Sequence, residues 1–293
     1  MLRNPLRATC IGGLALLVSM PELLGAQVPF RFEFRPSDQL SVHMIVESEG
    51  NLTFVGFPEL PDSSTAEFTS RADITRRTMA SGGGRFAIRL TYDSVRAQFR
   101  MDGSDFRDVA LPWDGGLWVE YVADRRMSFT GPTGSNDSMA LALVSAAAAA
   151  YHLELPEGAI DIGGEWGADF TVPFEMQIPL ETPEVITVNL MAPVTGLLDS
   201  LVVRGADTLA YLSFTGRFLS ETVATAYQLG GGPAPAEVWG DVAGRLIWST
   251  GWNAFVSGVM TARINQRFEA VPGSGVEDAR ITAVITTRIR VRL

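Results

Sequence analysis

Apolar and polar residues alternate along most of this chain. FRFEFR sets Phe30, Phe32 and Phe34 on one side of an extended backbone and Arg31, Glu33 and Arg35 on the other, the period-two signature of a half-buried strand. PSDQ turns the chain, LSVHMIVE aligns Leu40, Val42, Met44 and Val46, and AEFTSRADI repeats the scheme with Ala66, Phe68, Ala72 and Ile74. Neighbouring segments of this kind predict a meander. SGGG at residues 81–84 offers the positive φ that a hairpin turn demands, and the long RFAIRLTYDSVRAQFRMDG that follows predicts one bent strand or two short ones.

After residue 155 the alternation resumes and runs to the end of the chain, punctuated by turn residues such as RGADT and PGSGVED. About eleven or twelve strands are expected in total. One stretch breaks the rhythm: SMALALVSAAAAAYHL, residues 138–153, is uncharged and alanine-rich, with Ser135 or Asp137 placed to cap it and Pro156 to stop it. It predicts a helix. Sixteen residues fall short of the roughly 20 apolar residues that cross a bilayer, so the helix is expected to pack on the sheet, where thin alanine faces allow close approach.

Composition narrows the functional classes. The net charge of −10 argues against a nucleic-acid partner, which needs clustered cations. All 23 basic residues are arginine, which removes Schiff-base lysine chemistry and the phosphate-loop lysine. At the N-terminus, Arg3 and Arg7 precede an apolar run over residues 11–20 and a small-residue pair, Gly25-Ala26. This reads as an export signal over residues 1–26, with an uncleaved anchor as the alternative. Cys10, the one cysteine, falls within it, so the mature chain from residue 27 is expected to lack thiol, disulfide and cysteine-ligated metal chemistry.

No cluster announces a reaction. His43 lies on the polar side of its strand and His152 near the end of the predicted helix; the Asp102–Asp108 carboxylates lack the spacing of a calcium loop. Asp161 and Glu165 are separated by two glycines, and no G-x-S-x-G, H-E-x-x-H or dinucleotide fingerprint is present. A non-enzymatic protein with no catalytic residue, no metal and no cofactor is therefore expected. The six tryptophans are candidates for an apolar cavity or for ordinary sheet core. Trp113 and Trp252, near turns, are the better mouth residues, and with Leu141, Leu143 and Tyr151 of the predicted helix they form the candidate ligand-binding set.

The order of elements, with an exported leader, a meander, one apolar helix and a second meander, resembles the lipoprotein carriers of the LolA/LolB type. The resemblance covers element order over nearly the whole mature chain and no residue-specific motif. It implies a strongly bent sheet whose concave face holds a helix and acyl chains. The expectation is a mainly β protein: one antiparallel curved sheet or half-barrel over residues 27–293, with helix 138–153 on its concave face. Its expected role is that of an exported periplasmic, extracellular or envelope protein that binds an apolar or amphiphilic, lipid-like ligand. A ligand-free structural or interaction module and an outer-membrane barrel are the alternatives.

Overall fold

A computed structural model describes residues 29–32, 41–57, 60–109, 118–124, 126, 129–134, 153–178, 184–229, 232–268 and 278–292. Fourteen strands form among them. The first half contributes β1 (Phe30–Arg31), β2 (Ser41–Val55), β3 (Ser63–Gly82), β4 (Arg85–Met101), β5 (Arg107–Asp108), β6 (Trp118–Ala123) and β7 (Phe129–Gly134). The second contributes β8 (Ala159–Ile160), β9 (Glu165–Ile178), β10 (Glu184–Arg204), β11 (Asp207–Leu229), β12 (Gly232–Ser249), β13 (Ala254–Phe268) and β14 (Arg280–Val291).

Twelve of these make one antiparallel sheet in the order β7-β6-β4-β3-β2-β14-β13-β12-β11-β10-β9, with β5 beside β4. Apart from β5, which lies beside β4 so that β6 also pairs β4, the strands within each meander pair their chain neighbours, and the two meanders join where β14 pairs β2. The path ends at β7 and β9 and does not close into a barrel. A two-stranded ribbon of β1 and β8 is hydrogen-bonded separately, with Phe30 and Ile160 packed against the core.

The expected half-barrel with a helix on its concave face is thereby corrected: the structure is an all-β, large open sheet, with no helix among the described residues. Of the run read as helix, residues 138–152 lie outside the described residues, as do residues 1–28. Leu153 is described, and it is non-helical and fully buried. Two residues on, past the expected helix, the Leu155 N–H donates to the Arg126 carbonyl at 2.7 Å.

The period-two reading of the strands holds. Val42, Met44, Val46, Leu52 and Phe54 of β2 share a buried face with Ala66, Ala72 and Ile74 of β3 and with Ile281, Ala283 and Ile289 of β14. SGGG forms the β3–β4 hairpin, with φ of 60° at Gly83 and 76° at Gly84, the pair of positive values that a two-residue turn of this twist requires. RFAIRLTYDSVRAQFRM is a single strand, β4, bent by a register shift opposite Asp73/Ile74.

A single sheet buries one face over so many strands by coiling around it, and the cross-strand rows show what makes the coil tight. One row reads Trp166, Gly196, Phe214, Gly244, Met260 from β9 to β13. Large side chains alternate with glycines, and each ring lies over the glycine beside it. A Cβ added at Gly196 would stand 2.5 Å from the Trp166 ring, and one at Gly244 would stand 2.5 Å from Phe214. Phe68 covers Gly50 and Leu246 covers Gly258 in the same way. Such pairs let strands bend inward while the lost side-chain volume is refilled from next door.

Candidate functional site

The two faces of the sheet are chemically opposite. The outward face carries ladders of charge: Glu47 pairs Arg71 and Arg290, each at 2.7 Å, Glu49 pairs Arg288 at 2.8 Å, and Asp73 pairs Arg292 at 3.1 Å. Further along, Glu67 meets Arg100 at 2.6 Å and Glu120 meets Arg89 at 2.9 Å. These are half-exposed pairs of small individual worth, but they fix this face toward water. A membrane-spanning barrel directs apolar residues outward to lipid; among the described residues of this sheet the ion pairs lie on the outward face.

Among the described residues the inward face is mostly apolar, with Ser64, Arg76, Thr78, Gln266 and Thr287 as buried polar exceptions, and aromatic clusters lie toward both of its ends. At one end, Phe32 packs 6.3 Å from both Trp166 and Trp248, and Trp248 meets Phe255 edge-on at 5.1 Å. Leu153 and Leu155 are buried in the same core. Trp166 Nε1 donates to the Glu154 carbonyl at 2.8 Å, and Arg126 ties the segment down through Glu154 at 3.2 Å and Glu157 at 2.5 Å. This end is a stapled plug. At the other end Phe54, Phe57 and Phe268 stack edge to face at 6.0 and 5.5 Å.

Of the sequence-predicted set, Trp252 is placed in the β12–β13 turn. Its backbone N–H donates to Ser249 Oγ at 3.0 Å, and its half-buried ring packs against the core. Trp113, Leu141, Leu143 and Tyr151 lie outside the described residues. Trp166 and Trp248 are core, whereas Trp118 and Trp239 face outward, Trp118 beneath the Arg89 guanidinium at 4.5 Å. The turn bearing Trp252 is held by Asp207, whose carboxylate accepts from Ser249 Oγ at 2.7 Å, the Gly251 N–H at 2.7 Å and Thr250 Oγ1 at 3.1 Å. Desolvation pushes the Asp207 pKa up, and these hydrogen bonds together outweigh it and hold the group below its ordinary range.

The remaining polar candidates serve local structure. His43 stands on the outward face, its Nδ1 3.1 Å from Thr75 Oγ1. Asp102 accepts the Thr65 N–H at 2.7 Å and so closes a turn. Hydrogen bonds from Arg280 and Arg267 hold the Asp278 carboxyl low. Among the described residues no three His, Cys, Asp or Glu side chains converge as a metal site.

Three grooves open on the outward face. The first, about 780 Å³, is lined by Tyr211, Arg245, Val259, Arg288 and Arg290 among others, the second, about 840 Å³, by Glu49, Arg71, Arg96 and Gln98, and a smaller one of about 400 Å³ by His43, Thr75 and Arg77. Sequence reasoning missed two inward polar residues, Ser64 and Gln266, which are 0% and 4% exposed. Their strand parity places them inward, but only the pairing register brings them into one row.

No family model and no curated protein matches the chain. A solved structure described as "Lipid-protein interactions in lipovitellin" is similar to it, with a TM-score of 0.51 and 11% identity over 89% of this chain and 26% of that one. The chain thus spans about a quarter of that protein's length, and the likeness is one of fold. Two Pseudomonas aeruginosa proteins, OpdQ and OccK2 (OpdF), align over 86% and 89% of the chain, at 8% identity and TM-scores of 0.20 and 0.18.

Proposed function

We propose that this chain is an exported, non-enzymatic cell-envelope protein that holds an apolar or amphiphilic, lipid-like molecule against the inward face of its coiled sheet. The observation that carries the reading is the division of one sheet into a charged outward face and a mostly apolar inward face among the described residues. An acyl chain laid along that inward face gains about 0.8 kcal/mol per buried methylene. The fold likeness to lipovitellin, a protein whose structure is described in terms of lipid–protein interactions, supports the same class of ligand. The leader-like residues 1–26 support export.

A second reading, a structural module with a filled interior, is favoured by the large-against-glycine rows, which fill the inward face beside their glycines. The two readings separate in one experiment. The chain is purified without detergent, delipidated and titrated with a series of 1-monoacylglycerols of increasing chain length. A binding protein tightens by about fourfold per added methylene, the equivalent of that 0.8 kcal/mol. No saturable binding at any chain length sinks the lipid reading and leaves the structural module.

A further inference from the structure

Across one end of the inward face runs the row Ser64, Phe54, Ile281, Gln266, Val238, from β3 through β2, β14 and β13 to β12. Three of the five are the apolar residues this face leads one to expect, each 3% exposed or less. The other two are not. Ser64 Oγ and Gln266 Nε2 are buried and make no hydrogen bond, although their neighbours on the row offer only hydrocarbon.

A buried donor without an acceptor costs on the order of 1–3 kcal/mol, and leucine at position 266 would fill the same space without that cost. The burden is explained if an acceptor arrives from outside the chain. It must be a neutral one, because an ionised head group in this hydrocarbon row would meet no countercharge. Arg76, an inward-facing arginine, stands twelve residues along β3, about 40 Å away in an extended strand.

Gln266 can only donate through Nε2, which suits a carbonyl oxygen, while the Ser64 hydroxyl donates or accepts. They flank Phe54 and Ile281, so polar groups at both positions would bracket an apolar patch about three strand spacings wide, roughly 14 Å before coiling. A glyceryl ester, with a carbonyl and free hydroxyls at the head of a hydrocarbon chain, has this chemistry.

We infer that Gln266 and Ser64 form the polar end of the ligand site, that the ligand is a neutral ester-bearing lipid, and that Gln266 Nε2 donates to its ester carbonyl. The inference rests on the lipid-binding reading and adds the head-group class to it. The test compares 1-monomyristin with 1-O-tetradecylglycerol, an ether that keeps the glyceryl hydroxyls and the fourteen-carbon chain but lacks the carbonyl. Each is titrated against the delipidated wild-type chain and against Gln266→Leu.

The expected result is an ester preference of about tenfold in the wild type, the size of one net hydrogen bond in a dry site, and equal affinities in Gln266→Leu with ether binding retained. Retained ether binding shows that the variant is folded; if Gln266→Leu binds neither probe, Gln266→Met supplies the same contrast. A wild type that binds both probes equally overturns the inference while the lipid reading stands. So does an ester preference that survives in the variant. A wild type that binds neither probe overturns both.

Discussion

Gly196→Ala adds one methyl group, and the structure says where it goes. The new Cβ would stand 2.5 Å from two atoms of the Trp166 indole and 2.9 Å from a third, far inside ordinary contact. Trp166 is not free to yield. It is 8% exposed, it packs against Phe32, and its Nε1–H is bonded to the Glu154 carbonyl. Overpacking of this kind costs about 1–3 kcal/mol, and loss of the indole hydrogen bond adds about 1 kcal/mol. At about 2–4 °C per kcal/mol for a large domain, the melting temperature should fall by roughly 5–15 °C. The control is Gly167→Ala on the adjacent strand, where an added Cβ meets nothing within 4 Å. That variant should match the wild type or exceed it slightly, because alanine narrows the unfolded ensemble. Urea denaturation followed by tryptophan fluorescence measures both. Equal stability of the two variants would refute the claim that rings seated on glycines set the tightness of the coil.

Other outcomes follow from the same contacts. Asp207 has a lowered folded pKa, so its contribution is present above the unfolded carboxylate value and disappears as pH falls through the folded one. Asp207→Asn should therefore be less stable than the wild type at pH 7, with the gap narrowing below about pH 4; a gap unchanged at pH 3 in paired denaturation curves would contradict the assignment. Arg126→Ala releases Glu154 and Glu157 from the plug. Because the pairs are partly exposed, the global cost should stay near 1 kcal/mol or below, while amide exchange at Leu155, bonded to the Arg126 carbonyl, accelerates at least tenfold; unchanged exchange there would deny the staple. Gln266→Leu should raise the melting temperature of the delipidated chain by a few degrees, since it removes an unsatisfied buried donor, and a fall would mean that Gln266 is already satisfied.

Strand identity and facing were legible because each depends on a period of two within one segment. Val42, Met44 and Val46, or Ile281 and Ala283, declare their side without knowledge of a partner. The hairpin at Gly83 and Gly84 was legible for a similar reason, its requirement being local. What was not legible depends on register. Nothing in the sequence says that Phe214 stands beside Gly244, or that Ser64 and Gln266 share a row across three strand boundaries. Fifteen of the sixteen residues read as helix, 138–152, lie outside the described residues. Just past that run, Leu155 hands its N–H to Arg126, 29 residues away in sequence, a pairing that no local signal announces. Of the five candidate ligand residues, Trp252 has a described place, in the β12–β13 turn.

The most direct measurement is depth-resolved quenching by a monoacylglycerol whose acyl chain carries bromine, with single-tryptophan variants of the detergent-free protein. Trp248 is buried on the inward face and Trp239 is 38% exposed on the outward one, nine residues apart on the same strand. If the lipid lies inside the coil, the variant retaining Trp248 is quenched saturably and the variant retaining Trp239 is not. Quenching of Trp239 with none at Trp248 would place the lipid on the charged face and contradict the inward-facing site.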